Sequence, residues 1–593
     1  MSEVSTTPRR KPVAIPRPSA AWARALVDAP LRLAERALRL DEIEAMASAV
    51  EQGDPSRSVI ERVMQATRIR VKVDPHDLAR IPAKGPVVLC ANHPFGGADS
   101  TAMLEAALRR RPDVKFLANG IMGRFPFLHE HLIFVDPFGG VDAARRNAAA
   151  IRQALAWLKG GGLLGAFPAG EVSATHWGSW TPADPPWSTI PARLALSAGA
   201  KVVPIWFDGT NSGMFHALGL VHPRLRTALL PSEFVARCGS EIELRIGRAI
   251  ATEGSTLDQE SLTRLVRGRS ELMRRTAPAP KPAVEHAPIG GPLADADAIE
   301  AELRALPADA RLVSESDYEV FVARAAQLPR TMPEIGRLRE IAFRAVGEGS
   351  GKASDTDRFD ETYWQLVVWN RTKREIVGGY RAGVVAEVAR GGVAGLYTST
   401  LFEYSPRVLA ELGDAVELGR SYVRPEYQRQ PLPLSLLWKA IGVFMFRGGH
   451  RRMFGPVSIS NDYASMSKEL IMEFLERHRT ATPFAKLVTP RNPPARRAVA
   501  GWTARETAEA TADLAHVERL IDEIERGERA VPVLLRQYLR LNAKLLAFNV
   551  DNDFGDVVDA LMLVDLAQID ERIMRYYLGD EGYRMARERY GIA

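Results

Sequence analysis

The sequence predicts an α/β protein in two parts, an α/β domain followed by an α+β domain that ends in a helical extension. Three observations carry that prediction. Between residues 85 and 250, short apolar runs alternate with stretches of helical period, the succession expected around a largely parallel sheet. Residues 276–297 hold Ala277-Pro278-Ala279-Pro280-Lys281-Pro282 and Gly290-Gly291-Pro292, a proline-rich extended linker. Beyond it, paired apolar runs of hairpin type replace the regular alternation. At 593 residues the chain is also too long for a single core. The expected division is a disordered segment 1–20, a first domain 21–275 opening on an amphipathic helix, the linker 276–297, a second domain 298–480 and a helical extension 481–593.

Composition bounds the function without choosing it. A hydrophobic content of 46% with 25% charged residues is ordinary for a globular protein. No apolar run reaches the ~18 residues needed to cross a bilayer. Met1 to Pro18 is polar and basic with no apolar core, unlike a secretory signal. Cys90 and Cys238 have neither metal nor redox spacing, which fits a reducing cytoplasm. The net charge of +6 suits an anionic partner, and nucleic acid, an anionic membrane surface and an acidic protein satisfy it equally. From Ala21 to Val50, apolar and arginine positions alternate at helical spacing, interrupted at Pro30. Such a helix either lies on lipid with its arginines toward head groups or packs on its own domain.

In the first domain the strand candidates are Val87–Cys90, Val114–Leu117, His131–Val135, Leu163–Phe167, Val202–Phe207 and Ile242–Ile246, with helices over Thr101–Arg110, Ala143–Lys159 and Ala192–Ala198. Sites in open α/β sheets lie where strands hand over to the following loops. Asn92-His93-Pro94-Phe95-Gly96-Gly97-Ala98-Asp99, Asp136-Pro137-Phe138-Gly139-Gly140, Phe167-Pro168-Ala169-Gly170-Glu171 and Asp208-Gly209-Thr210-Asn211-Ser212 all fall at such positions. An imidazole oriented by a carboxylate is a general base, so His93 with Asp99 is the catalytic candidate. The plain alternative is a histidine that only closes a turn.

These four blocks, in this order, resemble the glycerolipid (PlsC-like) O-acyltransferases over roughly residues 60–270, and more closely the branch that acylates lyso-amino-acid lipids. The resemblance implies that His93 deprotonates a hydroxyl, which attacks a thioester while Asp99 holds the tautomer. Asn92 or the N–H groups of Gly96 and Gly97 would stabilise the oxyanion. Phe167, Pro168 and Gly170 would shape the acceptor pocket. Asp136 and Glu171 would either orient an amine or cap turns. The sequence departs from the family at three points. Five residues separate His93 from Asp99 where the family has four, with a glycine pair to bulge out the extra one. Ala169 stands where the family places a glutamate, and no arginine in Phe134-Val135-Asp136-Pro137 matches its phosphate-binding one. The last departure points to a phosphate-free acceptor, unless Arg145 or Arg146 substitutes.

After the linker, Arg337–Phe343 reads as a helix, Trp364–Trp369 and Ile376–Arg381 as a hairpin, Ala415–Val423 as a strand and Leu434–Gly442 as a helix. A helix N-terminus beside a strand end offers free N–H groups to a phosphate, such as that of a phosphopantetheine arm. This half resembles, over roughly 320–570, GNAT-like acyltransferases that draw on acyl carrier protein, namely acyl-homoserine-lactone synthases and ornithine-lipid N-acyltransferases ("hemolysin-like"). The shared pattern is Arg339 and Phe343 on the first helix, then Asp355, Asp357 and Asp360, then Arg381, then Glu417 and Arg420 on the central strand. Glu-Leu-Gly-Arg-Ser-Tyr-Val from Glu417 favours the ornithine-lipid side.

An amine must lose its proton to attack a thioester, so Glu417 is the first candidate base and Asp360 the second. Arg381 and Arg420 suit a substrate carboxylate. The alternative is an internal salt-bridge network, because side chains three apart on a strand face opposite sides unless it bulges. Leu546–Phe548 and Leu561–Val564 read as core, and no metal cluster or nucleotide fingerprint stands out. Arg330, Arg424, Arg429, Arg451 and Arg452 suit docking of an acidic carrier protein or a lipid surface.

The resemblances together imply a bifunctional acyltransferase with no bound cofactor, using acyl-ACP as donor. Its second domain would N-acylate ornithine with a 3-hydroxyacyl group, and its first would O-acylate the resulting lyso-lipid. It would sit peripherally on the cytoplasmic face of the inner membrane, with acyl carrier protein, amino acid and lyso-lipid as partners and no nucleic acid. The alternative is a lysophospholipid (1-acylglycerol-3-phosphate) acyltransferase joined to an N-acyltransferase for another amine, such as glycine. A lipid-binding or membrane-lysing protein is a third class, disfavoured by the lack of a pore-forming strand series.

Overall fold

The structure, a computed structural model, describes residues 35–136, 141–176, 179–274, 287–496 and 502–591. The chain folds as two compact units, Met1–Arg275 with Ala498–Thr507, and Thr276–Arg497 with Ala508–Ala593. Among the described residues no helix is long and apolar enough to cross a membrane.

In the first unit a sheet runs in the order Arg70–Lys72, Glu241–Ile246, Lys201–Phe207, Val87–Ala91, Leu163–Ala166, Val114–Asn119, Leu132–Val135. The last five are mutually parallel, and Glu241–Ile246 runs antiparallel to Lys201–Phe207. Val87–Ala91 is buried throughout. Val87, Leu89 and Ala91 face a core shared with helix Gly97–Arg110, while Val88 and Cys90 face one shared with Val141–Lys159 and Ile190–Ala198. A strand covered on both faces needs apolar residues at every position, which is why it reads as an unbroken run. The parallel strands therefore point their carboxyl ends, and the loops that follow, to one edge.

The helix after Val87–Ala91 starts at Gly97 rather than Thr101, because Asp99 caps it from its third position. Of the expected amphipathic helix, residues 21–34 lie outside the described residues. Its remainder, Leu40–Glu51, buries Leu40, Ala47 and Val50 on its own unit.

The second unit holds an eight-stranded sheet in the order Arg311–Glu315, Tyr318–Arg324, Trp364–Asn370, Glu375–Val384, Ala415–Val423, Arg452–Ile459, Val557–Asp565, Lys544–Asp551. Helices Thr331–Arg344, Pro431–Gly448 and Ser465–Arg479 accompany it. The expectation of a helical extension over 481–593 is corrected here: that stretch contributes two paired strands to the sheet. A short apolar run such as Val557–Asp565, buried on both faces, has no periodicity to separate strand from buried helix.

Ala415–Val423 and Arg452–Ile459 pair in parallel only from Ala415↔Arg452 to Glu417↔Phe454, then part. At the parting, Gly455 lies so close to Leu418 that an added Cβ would stand 2.2 Å from its carbonyl oxygen, so only glycine fits. Beyond this point the two strands no longer pair with each other.

Candidate active sites

In the first unit, Ala91 ends its strand and the chain turns through Gly96, whose φ of +84° suits glycine alone, into the helix that begins at Gly97. This turn absorbs the fifth intervening residue. His93 Nδ1 comes to 3.0 Å from Asp99 Oδ1, close but bent away from hydrogen-bond alignment. Catalytic contacts of this kind tighten when substrate binds. Asp99 is fully buried and its carboxylate accepts the N–H groups of Phe95 (2.9 Å), Gly96 (3.2 Å) and Ser100 (2.7 Å). Three donors fix the orientation of the side chain that faces the imidazole.

His93 keeps 16% of its side chain exposed and stacks on Phe167 at 4.1 Å between ring centroids. Burial pulls its imidazole down, but the Asp99 carboxylate beside it, with Asp184 behind, outweighs this and holds it above its usual value. Asp184, unnoticed in the sequence, accepts the His93 N–H at 3.3 Å, Trp187 Nε1–H at 2.9 Å and the Ser173 hydroxyl. It pins the loop that carries the imidazole.

The other expected residues of this unit divide. Phe167 stands against His93, and Phe167 to Gly170 closes as a turn with the Gly170 N–H on the Phe167 carbonyl. Pro168 is buried. Glu171 is exposed and pairs with Arg226, so turning toward a substrate amine would require breaking that pair. Asn92 is corrected from oxyanion donor to brace: its Nδ2–H donates to the Phe207 carbonyl at 3.0 Å and its Oδ1 accepts the Phe207 N–H at 2.7 Å. Asp136 accepts, through its carbonyl, from Asn147. Pro137 to Gly140 lie outside the described residues.

In the second unit the strand does bulge. Arg420 adopts φ +51°, and the register against Glu375–Val384 slips between Gly379↔Tyr422 and Arg381↔Gly419. Three guanidinium groups and three carboxylates interlock around it. Arg339 donates to Asp360 Oδ1 at 2.8 Å, and Arg381 donates to Asp357 Oδ1 at 2.6 Å and to Asp360 Oδ1 at 3.3 Å. Arg420 lies 3.0 Å from Asp355 Oδ2 and 3.6 Å from Asp357 Oδ2, and donates to Tyr397 Oη at 2.8 Å. Asp360 carries burial that would raise it, yet Arg339 and Arg381 hold it at about 2. Phe343 packs edge-on against Phe554 at 5.1 Å, a core contact.

Two chemical expectations change. Glu417 is wholly buried and fully saturated: Oε1 accepts the Thr398 N–H at 2.7 Å and the Thr398 hydroxyl, and Oε2 accepts the Tyr397 N–H at 2.9 Å and the Tyr363 hydroxyl. Burial raises its pKa, with those donors pulling it back. No acceptor position is left for an amine, so it braces the Tyr397–Thr400 turn. Asp360 is too weak a base and too engaged to replace it. Arg381, also without exposed surface, belongs to the ion network rather than to an open carboxylate pocket.

Asp559 on Val557–Asp565, a residue not singled out from sequence, is buried, as is Asp551 on Lys544–Asp551. The signal was available: Asp559 interrupts Val557-Val558-Asp559-Ala560-Leu561, a carboxyl inside an otherwise apolar run.

Comparison with known proteins sets these geometries in families. Residues 14–275 match a family described as "Acyltransferase", and residues 338–439 match "Acetyltransferase (GNAT) domain". A glycine N(alpha)-acyltransferase of Phocaeicola vulgatus is 31% identical over 293 residues, covering 44% of this chain and 85% of that protein. The chain belongs to the N(alpha)-acyltransferase family. Another relative, the L-ornithine N(alpha)-acyltransferase of Rhizobium meliloti, is 24% identical over 41% of this chain and 78% of its own. The solved 1-acyl-sn-glycerophosphate acyltransferase PlsC of Thermotoga maritima aligns with 43% of this chain and 94% of its own at 17% identity, with a TM-score of 0.24, too low to carry an argument. As a member of this family carrying two acyltransferase matches, the chain is an acyltransferase with an acyltransferase domain preceding a GNAT domain.

Proposed function

We propose that the protein builds a phosphorus-free, amino-acid-containing lipid in two acyl transfers. The second unit N-acylates ornithine with a 3-hydroxyacyl group carried on acyl carrier protein. The first unit then O-acylates the hydroxyl of that chain, with His93 as base and Asp99 orienting it. The carrying observation is the His93–Asp99 pair at 3.0 Å on a chain that also belongs to the N(alpha)-acyltransferase family. One unit is equipped to activate a hydroxyl, and the other has relatives that acylate amines. Joining them on one chain raises the concentration of the mono-acyl intermediate for the second step.

A carrier-bound donor is supported by the helix Pro431–Gly448 beside the parted strands. Proline at its first and third positions removes two of its N-terminal N–H donors, which suits one phosphate better than a pyrophosphate. Peripheral docking on a lipid surface is supported by topology. In the first unit's described residues the exposed large apolar side chains are Ile121, Met214, Val221 and Leu225. All four follow strands Val114–Asn119 or Lys201–Phe207, at the carboxyl edge that also carries His93. A greasy acceptor would reach the imidazole from that side.

A second reading has glycine in place of ornithine, favoured by the 31% identity to a glycine-named relative against 24% to an ornithine-named one. Both are tested by lipid extraction from a bacterial host that makes no aminolipids. Wild type should yield a ninhydrin-positive, phosphorus-free diacyl lipid whose mass identifies the head group, and His93→Ala should stop at the mono-acyl form. Acylation of lysophosphatidate with no aminolipid would overturn the proposal.

A further inference from the structure

We propose that Asp559 is the catalytic base of the N-acyl transfer, taking the proton from the amino acid's α-ammonium; this rests on the N-acylation reading above. Its position comes from the sheet. Ala415–Val423 and Arg452–Ile459 part after Glu417↔Phe454, and Ser458, on the parted length, is in register with Asp559 on the next strand. Asp559 Oδ1 accepts the Ser458 hydroxyl at 2.8 Å, while Oδ2 has no hydrogen-bond partner among the described residues. The residue is only 3% exposed. A buried carboxyl with one oxygen committed and the other open is placed to receive a proton from a ligand.

The charged and titratable groups around it are Arg420 on Ala415–Val423, Asp551 on Lys544–Asp551, Tyr397 of the Tyr397–Thr400 turn, and Glu348 beyond helix Thr331–Arg344. Burial, then the Asp551 charge, push the Asp559 carboxyl up to about 7, with Ser458 and Arg420 pulling the other way. Burial, then Asp559 and Asp462, push Glu348 to about 8. A group poised near neutrality both accepts a proton and gives it up within a cycle. Glu417 and Asp360 have no such freedom.

The step balances. The ammonium passes its proton to Oδ2, and the freed nitrogen lone pair forms the N–C bond to the thioester carbonyl. The C–S bond breaks with its electron pair on sulfur, and the departing thiolate takes the proton from Asp559. As the adduct collapses its nitrogen sheds a second proton to water, so amide, thiol and one proton leave, and the carboxylate is restored.

The test uses the full chain with 3-hydroxyacyl-ACP and ornithine or glycine. Asp559→Asn should lower the N-acylation rate at neutral pH by roughly 10²–10⁴-fold, with the donor KM unchanged. The residual rate should climb about tenfold per pH unit as the free amine accumulates. Acyl transfer to hydroxylamine, already neutral at pH 7, should fall by less than about tenfold. Asp559→Glu should recover part of the rate. If Asp559→Asn folds poorly, the wild-type pH–rate profile still decides: its acidic limb should break near pH 7, and a break below pH 5 overturns the assignment. So does an Asp559→Asn enzyme with the wild-type rate, or one that loses amino acid and hydroxylamine transfer equally. A wild type that acylates neither amino acid fails the N-acylation reading itself and takes this assignment with it.

Discussion

The backbone N–H of Thr398 reaches Glu417 Oε1 at 2.7 Å, in a pocket that leaves the carboxylate no exposed surface. Glu417→Ala would strand the Thr398 N–H and leave the Tyr397 N–H only Tyr363 Oη, the Tyr363 hydroxyl only the Gly395 carbonyl and the Thr398 hydroxyl only Tyr404. An unsatisfied buried donor costs about 1–3 kcal/mol and each hydrogen bond to a charged group contributes about 1.5–3 kcal/mol, so the loss should be several kcal/mol in total. Thermal unfolding should show the second unit melting well below wild type. An unchanged melting temperature with only kcat lost would return Glu417 to the role of base.

Asp99→Asn should cut O-acyl transfer by roughly 10²–10⁴-fold, as should His93→Ala. The two differ in pH dependence. Asp99 holds the His93 imidazole above its usual value, so its charge keeps His93 protonated to higher pH. Without that charge the base form persists to lower pH, and the acidic limb of the Asp99→Asn profile should move downward. A limb that stays put would mean that His93 is not the titrating group.

Asp360 should make the second unit acid-sensitive. Its folded value of about 2 lies below its ordinary 3.8, so its stabilisation is present above pH 4 and disappears as the pH falls toward 2. The difference amounts to roughly 2 kcal/mol. Circular dichroism across that window should show a shallower stability loss for Asp360→Asn, which starts from a less stable fold at neutral pH. Equal slopes would place the acid sensitivity elsewhere.

Replacing Met214, Val221 and Leu225 together by serine should weaken flotation with anionic lipid vesicles by more than tenfold, since each buried apolar side chain contributes about 1.5–3 kcal/mol. Their exposure means the fold loses little. Unchanged flotation would move the lipid contact to another face.

The sequence made the surroundings of His93 legible because each parallel strand there, covered on both faces, announces itself as an apolar run ending at a polar turn. The competence of the His93–Asp99 pair hung on the positive φ of Gly96, which the glycine pair signalled. The role of Glu417 was not readable, because Tyr363, Tyr397 and Thr398 reach it from two other segments. The sequence shows that Glu417 and Arg420 share a side only if their strand bulges, but the bulge is located only by the register against Glu375–Val384. Lys544–Asp551 and Val557–Asp565 carry no periodicity that separates strand from buried helix, and Asp559 lies on the second of them.

The place of Val557–Asp565 in the sheet bears on how the polypeptide matures. It leaves the ribosome about a hundred residues after Arg452–Ile459, a delay of roughly 5–20 s at ordinary synthesis rates. Until it arrives, Arg452–Ile459 is a bare edge able to pair with another nascent chain. Chaperone demand during synthesis should therefore be set by this one late strand, and slow translation between the two should lower the yield.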